Sequence, residues 1–274
     1  MLVLVAGATG NLGQKLIDSL YSRGHQLECF VQSEPYYDVP AIESACKGVD
    51  AVICAYTGMP ESSLDGQLLL FRAVERVGIK KYVAASWNFD GKNMNLGVHE
   101  RYDAFIAFRN QVELSSDITP NYFFTRVLAE VLFSLPGHGD FSPANNGAWD
   151  PKGKAMEIWG TERDAAEFTV AIIERDDASE RALGWYPLTL IVKTYGQVRN
   201  CHVDIRKSGD EEELRKIALE ARRQGTRRLF WPYIDWFYQL FTTDRLWVLE
   251  ELDNDKLYVK TSSLEEFLRQ YPQL

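Results

Sequence analysis

The chain has 274 residues, of which 46% are hydrophobic and 25% are charged, and its formal net charge is −9. This composition is typical of a globular protein with a sizeable hydrophobic core, and it excludes an intrinsically disordered chain. The acidic balance argues against a nucleic-acid partner, because a phosphate-binding surface needs clustered lysines and arginines.

The other features of the composition favour a cytoplasmic protein without a membrane partner. No hydrophobic stretch approaches the roughly 18 residues of a membrane span, and the first hydrophobic run lacks the charged start of a signal peptide. The short basic run at Arg222-Arg223 and Arg227-Arg228 is interpreted as a solvated helix end. No Cys-x-x-Cys pair occurs, so we expect buried thiols rather than disulfides at Cys29, Cys46, Cys54 and Cys201.

Short hydrophobic runs alternate with helical patterns along the first half of the chain. Runs that are hydrophobic on both faces are typical of strands in a parallel sheet, and they predict strands over residues 1–6, 26–31, 50–55, 81–86 and 121–125. Helical spacing predicts helices over residues 11–23, 40–47, 67–77 and 102–115. This alternation indicates an α/β fold with an open parallel sheet covered on both faces.

The second half of the chain has a weaker pattern. We predict a loop over residues 134–154, helices over 162–174 and 211–224, and a last helix after Ser262 or Ser263. Residues 188–195 fit a helix or a strand. The aromatic-rich segment 228–241 fits either a core or an apolar wall for a planar substrate. We expect a core over residues 1–133 and a smaller α+β lobe, partly packed back on it, over residues 134–274.

The motif Gly7-Ala8-Thr9-Gly10-Asn11-Leu12-Gly13 follows the first predicted strand and opens the first helix. In this context the glycine pattern predicts a nucleotide site. Gly7 would allow a tight turn, Gly10 would let the backbone approach a pyrophosphate, and Gly13 would let the helix pack closely on the sheet. The N–H groups at the helix start would then face the phosphates. A glycine-rich turn without a ligand is the alternative.

Several stretches together resemble the NmrA-like, isoflavone-reductase-like branch of the atypical short-chain dehydrogenases/reductases. They are GATGNLG, DAVICAY, GQLLLFRAVERVGIKKYVAAS, residues 112–129 and KTSSLEEFLRQYP. The resemblance implies a Rossmann-type doubly wound sheet that binds NADP or NAD, with a C-terminal substrate lobe. It places the cofactor on Gly7, Thr9, Gly10, Asn11, Leu12, Gly13, Gln32, Ala55, Tyr56 and Ser86.

Two departures from the family affect the adenosine side of this site. Gln32 stands where the family usually has an Arg for the 2′-phosphate of NADPH, and Glu34 would repel that phosphate. Glu34 could instead accept from the ribose hydroxyls of NAD, or be an ordinary exposed carboxylate. Residues 33–49 are also too few for a helix, a full strand and another helix. We therefore predict that the third strand is absent or reduced to a stub near residues 36–39.

A third departure removes the expected acid–base residues. The family's Tyr-x-x-x-Lys pair is missing, because Ile106 follows Tyr102 at that spacing, and Phe105 stands where isoflavone-reductase-like members have a Lys. The loop after the predicted strand 81–86 still offers three catalytic candidates: His99 as acid or base, Tyr102 as a proton donor if its pKa is lowered, and Lys92. The alternative is that His99 and Tyr102 cap and pack a helix and that Lys92 is a solvated loop residue.

The substrate is expected to meet side chains of the same loop and of the glycine-rich loop beyond it. These are Trp87, Asn88, Phe89 and His138, the last of which either closes over the substrate or is a simple loop residue. The spacing of histidines, cysteines and carboxylates supports no metal site.

These residues support three hypotheses about function. The leading one is an NAD(P)H-dependent reductase of a small aromatic or conjugated carbonyl-type metabolite. The second is a non-catalytic NAD(P)-sensing regulator with a protein partner, which the missing Lys favours. The third is a non-redox isomerase, cyclase or dehydratase that uses His99 or Tyr102 for proton transfer. The sequence leaves open whether the chain forms a homodimer.

Overall fold

The computed structural model describes residues 1–30, 38–125, 127–139, 141, 180–182, 188–203, 211–243 and 259–274. The strands in these ranges are β1 Leu2–Ala6, β2 Gln26–Phe30, β3 Ala51–Cys54, β4 Lys81–Val83, β5 Tyr122–Phe124 and β6 Glu180–Ala182. The helices are α1 Asn11–Ser22, α2 Val39–Cys46, α3 Gln67–Val77, α4 Glu100–Ser115, α5 Ala129–Leu132, α6 Leu188–Arg199, α7 Glu211–Gln224, α8 Ile234–Thr243 and α9 Leu264–Gln270. A π-helical turn, Glu61–Gly66, leads into α3.

The strands form a parallel sheet in the order β2-β1-β3-β4, and β5 pairs with β6 in parallel. The Asn121 N–H donates to the Tyr82 carbonyl at 2.8 Å, and the Ala84 N–H donates to the Asn121 carbonyl at 3.0 Å. These two bonds join β4 to the start of β5, so the sheet continues as β2-β1-β3-β4-β5-β6. The predicted doubly wound α/β architecture is therefore confirmed. The strand order reverses between β1 and β3, which is where such sheets open a ligand crevice.

The central strands are hydrophobic throughout because helices cover both faces of the sheet. Val3, Val5 and Ile53 pack on the face covered by α1, whereas Leu4 and Val52 pack on the face covered by α2 and α3. All five side chains are fully buried. The unbroken hydrophobic runs thus reflect burial on two faces rather than on one.

The region after β2 bears on the predicted loss of the third strand. Asp38 caps α2 by accepting from the Ala41 N–H at 3.1 Å, and Val39 begins that helix. Val39 is therefore helical, and not part of a strand stub, because the Asp38 cap starts the helix there. Residues 36 and 37 of the proposed stub lie outside the described residues, as do Gln32, Glu34 and the predicted helix 162–174.

The C-terminal half contributes both to the sheet and to a second core. Strand β6 comes from beyond residue 133 and completes the sheet beside β5. Residues 188–195, which fitted either a helix or a strand, belong to α6. Helices α6 to α9 share one hydrophobic cluster with α5 and with Tyr102 of α4. The Arg199 guanidinium joins α6 to the chain end by donating to the carbonyls of Leu268, Tyr271 and Leu274. The domain boundary after residue 133 stays a prediction.

Helix α9 begins at the predicted cap. Ser263 accepts from the Glu266 N–H at 3.1 Å, and the Glu266 carboxylate accepts from the Ser263 N–H at 2.7 Å. This reciprocal capping box satisfies two N–H groups at the start of the helix. Among the described residues, no helix combines the length and the hydrophobicity that crossing a membrane requires.

Two expectations about individual side chains are wrong in part. All four cysteines are free, but Cys29 and Cys201 are exposed, since they lie at the β2 end of the described sheet and in the turn after α6. The basic run is not simply a solvated helix end. Arg222 is mostly buried, and Arg228 reaches the π-helical turn, where it donates to Glu61 at 2.6 Å. Arg223, Arg227 and Arg228 are exposed, as expected, and Arg222 is the exception.

A buried ion pair fastens α7 to the start of α4. Arg222 donates to the Glu100 carboxylate and to the Val98 carbonyl, both at 2.8 Å. The Glu100 side chain is 2% exposed and that of Arg222 is 18% exposed. The guanidinium also lies 3.6 Å from the centre of the Phe237 ring. Because both charges are largely removed from water, each depends on the other.

We expect Arg222→Met to lower the free energy of unfolding by about 3–5 kcal/mol, because it leaves the Glu100 carboxylate buried without its partner. Arg269→Met is the matched control, since Arg269 pairs with Glu265 on the surface, and it is expected to cost less than about 1 kcal/mol. Urea unfolding followed by tryptophan fluorescence measures both values. Equal losses in the two variants would contradict the structural role of the buried pair.

Candidate cofactor and substrate cleft

A cleft with a volume of about 500 Å³ opens at the carboxyl ends of β1, β3 and β4. Its walls come from the glycine turn, the loops after β3 and β4, the first turns of α4, the loop around residue 138 and α8. The site therefore lies where the strand order reverses, which is the expected position of a ligand crevice in an open α/β sheet.

Two glycines of the turn are required by the backbone geometry. Gly7 has a φ of +87°, and a Cβ there would lie 2.8 Å from the Ala55 carbonyl oxygen. A Cβ at Gly13 would lie 2.2 Å from the Gly7 carbonyl oxygen. A side chain at either position would force β1, α1 and the end of β3 apart. The tight turn and the close helix–sheet packing predicted from the motif are thus both present.

The third glycine leaves room on the cleft side of the turn. Gly10 is the N-cap of α1, with a φ of −73° and a ψ of 165°, and no side chain among the described residues caps this helix end. A Cβ there would meet only the Gly7 carbonyl oxygen, at 3.4 Å. Gly10, Asn11, Leu12 and Gly13 line the cleft. The first-turn N–H groups of a helix have no partners within the helix and favour anions.

Asn11 connects this helix start to the glycine-rich loop. Its amide donates to the Gly137 carbonyl at 3.0 Å, which holds the neighbouring His138 beside the cleft. Gly137 and Gly139 both have positive φ values, so the loop turns sharply on each side of His138. The His138 ring lies 3.1 Å from the Pro136 carbonyl through its Nδ1.

Aromatic side chains form the opposite wall. Trp87 stacks on Phe123 with ring centres 6.2 Å apart, and Trp231 is 45% exposed at the mouth of the cleft. The Arg101 guanidinium lies between two rings, 5.4 Å from the centre of Phe105 and 5.3 Å from that of Trp231. The cleft thus presents flat apolar surfaces with one guanidinium between them, an arrangement suited to a planar ligand.

Backbone and side-chain oxygens of the loop after β3 hold Arg101 in this position. Its guanidinium donates to the Gly58 carbonyl and to the Thr57 hydroxyl, both at 2.7 Å. Arg101 therefore bridges the loop after β3 to the first turn of α4.

A chain of hydrogen bonds leads from the cleft into the protein. The Asn88 amide donates to the Tyr238 hydroxyl at 3.1 Å, and the Tyr102 hydroxyl donates to the Asn88 amide oxygen at 2.7 Å. The Phe89 N–H in turn donates to the Tyr102 oxygen at 2.8 Å. Asn88 and Tyr238 line the cleft, whereas Tyr102 does not. Burial raises the pKa of Tyr238, so its phenol keeps its proton at neutral pH.

The structure places His99 outside the cleft, contrary to its predicted role as catalytic acid or base. Its ring is fully buried and lies 4.9 Å from the ring centre of Tyr102 and 4.7 Å from that of Tyr238. Its backbone carbonyl accepts from the N–H groups of Tyr102 and Asp103 at the start of α4. His99 therefore caps and packs a helix, which was the structural alternative.

Tyr102 and Lys92 are also displaced from the cleft. Tyr102 is 1% exposed, and burial raises its pKa well above the usual value. The lowered pKa that its proposed proton transfer requires is therefore not provided. Tyr102, Lys92 and the predicted substrate residue Phe89 line a separate cavity and not the cleft. These three side chains therefore do not line the candidate site.

The remaining predicted site residues divide into three groups. The cleft is lined by Gly10, Asn11, Leu12, Gly13, Ala55, Tyr56, Ser86, Trp87, Asn88 and His138. Gly7 and Thr9 lie in the turn behind that lining, and Gln32 lies outside the described residues. The Ser86 hydroxyl has a structural task, since it accepts from the Phe123 N–H at 2.7 Å. In the described part of the chain, no cluster of side chains could hold a metal ion.

Several side chains that line the cleft were not among the predicted site residues, including Arg101, Trp231, Asp235 and Tyr238. Arg101 lies just before the predicted helix 102–115. Because α4 begins at Glu100, the spacing of four residues between Arg101 and Phe105 puts both side chains on one face. Three of the four lie in or beside the aromatic-rich segment, which the sequence suggested as a substrate wall. That segment supplies both a wall and a core, since Phe230, Tyr233, Phe237 and Phe241 are buried.

Comparison with known proteins identifies relatives at low sequence identity. No protein-family model matches the chain. Photosystem II assembly factor Ycf39 of Synechocystis sp. is 24% identical, and the match covers 99% of this chain and 90% of that protein. A bifunctional pinoresinol-lariciresinol reductase of Linum usitatissimum is 22% identical over 68% of this chain and 69% of that protein.

Solved structures match over the whole chain. AtPrR2, in complex with NADP+ and (+)-pinoresinol, superposes with a TM-score of 0.74, at 18% identity and over 98% of both chains. The ternary complex of leucoanthocyanidin reductase from Vitis vinifera superposes with a TM-score of 0.73, at 17% identity and over 100% of both chains. The chain has the same fold as these two proteins. The resemblance found in the sequence is confirmed at the level of the fold, and the cleft lies at the switch point of that fold.

The buried His99 makes stability depend on pH. Burial, with the nearby Arg222 and Arg101 charges, holds its pKa well below its usual 6.5. Below pH 6.5 the unfolded chain binds a proton that the folded protein does not, so stability falls as the pH falls. We expect His99→Phe to remove about 1.4 kcal/mol per pH unit of this dependence between pH 6 and pH 5.

Urea unfolding at pH 5, 6, 7 and 8 measures this effect. His202→Gln is the control, since His202 is exposed, and it should follow the wild-type pH dependence. If the free energy of unfolding of His99→Phe depends on pH as steeply as that of the wild type, the folded state accommodates the protonated His99 ring.

Proposed function

We propose that the protein is an NAD(P)H-dependent reductase of a small aromatic or conjugated carbonyl-type metabolite. The observation that carries the proposal is the continuity of the cleft, in which an uncapped helix start and an aromatic wall border the same space. The first suits a phosphate and the second a planar ring. Neighbours of the same fold have been solved with NADP+ and pinoresinol or with NADPH.

The residues of the turn fit a dinucleotide. The open side of Gly10 leaves room for the backbone to approach a pyrophosphate, and the uncapped start of α1 supplies N–H donors and the positive end of a helix dipole. Ala55 and Tyr56 continue the same wall at the end of β3. A bound NADPH or NADH would supply the hydride, and the protein supplies position and charge.

The aromatic end of the cleft fits the substrate. Trp87, Phe105 and Trp231 offer flat surfaces, and the Arg101 guanidinium between two of them favours an oxygen that gains negative charge during reduction. The Tyr238 hydroxyl lines the cleft and is the group proposed to protonate that oxygen; burial raises its pKa, and the Arg101 charge and the Asn88 hydrogen bond oppose that rise. Asn88 orients this hydroxyl through their hydrogen bond. Arg101 and Tyr238 would thus replace the Tyr and Lys residues that the family uses.

A second candidate function is that of an NAD(P)-binding factor without turnover. Two observations favour it. The acid–base pair of the family is missing at Ile106 and Phe105, and a relative that matches nearly the whole chain is an assembly factor. Nothing in the structure favours the isomerase, cyclase or dehydratase alternative, because His99 and Tyr102 do not line the cleft.

Cofactor binding is tested at Gly10, where the backbone dihedrals accept other capping residues. We expect Gly10→Asp to weaken binding of NADPH and NADH at least about 100-fold, because its carboxylate takes the helix N–H groups and repels the pyrophosphate. Gly10→Asn is the neutral control of the same shape and should weaken binding less. Both variants should keep the melting temperature of the wild type, because Asp and Asn are both favourable N-cap residues. Titration by quenching of tryptophan fluorescence gives the dissociation constants.

If neither nucleotide binds the wild-type protein at millimolar concentration, both candidate functions are wrong. Equal affinities for Gly10→Asp and wild type would place the dinucleotide somewhere other than this turn.

Turnover is tested with cinnamaldehyde, an aromatic conjugated aldehyde, by following the loss of NADPH absorbance. We expect Tyr238→Phe to lower kcat about 100-fold or more with little change in KM, because a proton donor acts in the transition state. Trp231→Ala should mainly raise KM, because it removes part of the ring-binding surface. NADPH binding without oxidation of NADPH across a panel of aromatic aldehydes, enones and quinones would favour the non-catalytic factor.

A further inference from the structure

A second cavity of about 470 Å³ lies between α4, the ends of β4 and β5 and the loop that follows β4. Among the described residues, it shares Ala85, Ser86 and Phe105 with the cleft, and these residues form the wall between the two spaces. Neither candidate function described above uses this cavity. Its volume falls within the range of ordinary small-molecule sites.

Gln67 provides an unused hydrogen-bond donor in the lining of this cavity. The side chain is fully buried, and its amide oxygen accepts from the Ala85 N–H at 2.7 Å. That bond fixes the orientation of the amide, because the oxygen must face the Ala85 N–H. The Gln67 amide nitrogen is buried and has no hydrogen-bond partner among the described residues. A buried amide donor of this kind is costly unless a ligand or a water satisfies it.

Tyr122 provides a second such group in the same lining. The residue is 8% exposed, and its hydroxyl also lacks a partner within the described part of the chain. Burial raises the pKa of Tyr122, so the phenol stays protonated and is able to donate. Two unsatisfied donors in the lining of one cavity favour a ligand that carries an oxygen acceptor.

The lining of this cavity also contains aromatic rings and positively charged side chains. Phe89, Phe105, Phe108 and Phe124 supply rings, and Lys92 and Arg109 supply positive charge. Glu113 offsets part of this charge, because its carboxylate accepts from Arg109 at 3.1 Å. Rings combined with a net positive charge suit a flat, apolar molecule whose polar end is an oxygen acceptor or an anion.

We propose that this cavity is a second small-molecule site, which binds a planar aromatic compound through a carboxylate or carbonyl oxygen placed between Gln67 and Tyr122. The site is separate from the cleft and does not depend on the function proposed for it. Tyr102 lines the cavity and donates to Asn88, which lines the cleft. A ligand in the second cavity therefore contacts the hydrogen-bonded chain that reaches Tyr238.

The probe for this site is 2-naphthoate, a planar aromatic carboxylate, with binding measured by isothermal titration calorimetry. We expect one site per chain in the wild-type protein. Tyr122→Phe and Gln67→Met should each weaken binding at least about tenfold, because each removes one donor to the carboxylate. Tyr122→Phe should fold normally, since it removes a buried hydroxyl that has no protein partner. It therefore keeps the test valid if Gln67→Met is unstable.

Two control variants locate the probe. Tyr82→Phe makes the same chemical change at a buried tyrosine that lines neither space, and it should leave the dissociation constant within twofold of wild type. Trp231→Ala changes the cleft alone and should also leave the dissociation constant of 2-naphthoate unchanged. No binding of 2-naphthoate at millimolar concentration overturns the proposal, as does an equal loss in Tyr82→Phe and Tyr122→Phe. If only Trp231→Ala weakens binding of 2-naphthoate, the probe lies in the cleft and the proposal is overturned as well.

Discussion

The close contact between Gly13 and the Gly7 carbonyl is the constraint on which the cleft depends. Helix α1 is able to begin this near to the end of β1 only because position 13 carries no side chain, which would lie 2.2 Å from the Gly7 oxygen. The contact brings the N–H groups of the first helical turn to the carboxyl edge of the sheet. Gly7 meets the end of β3 in the same way, through the Ala55 carbonyl. Backbone packing alone therefore creates the wall that suits a phosphate.

The opposite wall depends on the Arg222–Glu100 ion pair. This pair fastens α7 to the first residue of α4, and the next residue, Arg101, reaches into the cleft between the rings of Phe105 and Trp231. Glu100, which holds α4 in place, and Arg101, which lines the cleft, are thus consecutive residues. The buried charges add specificity to the packing, since the position of α4 decides where the Arg101 guanidinium lies. The aromatic residues of the C-terminal half then close the cleft from the other side.

The catalytic candidates show where reasoning from the sequence reaches its limit. The sequence predicted that the loop after β4 borders a ligand site, and Trp87 and Asn88 of that loop line the cleft. The choice of His99, Tyr102 and Lys92 within that loop and helix was not supported, because α4 begins at Glu100 and its direction decides which side chains face the cleft. Each residue of a helix is turned about 100° from the one before. Arg101 consequently faces the cleft, whereas Tyr102 faces the second cavity.

The sequence by itself determined the elements whose causes are local. Hydrophobic runs marked the strands, the glycine spacing marked the turn, and Ser262 or Ser263 marked the start of the last helix. Only the tertiary structure decided how distant segments meet. Arg222 pairs with a carboxylate 122 residues away, and Asn88 meets a tyrosine 150 residues away. Burial at these long-range contacts decides which side chains keep their protons and which polar atoms lack a hydrogen-bond partner. Such burial depends on packing across the whole fold rather than on residues that are neighbours in the sequence.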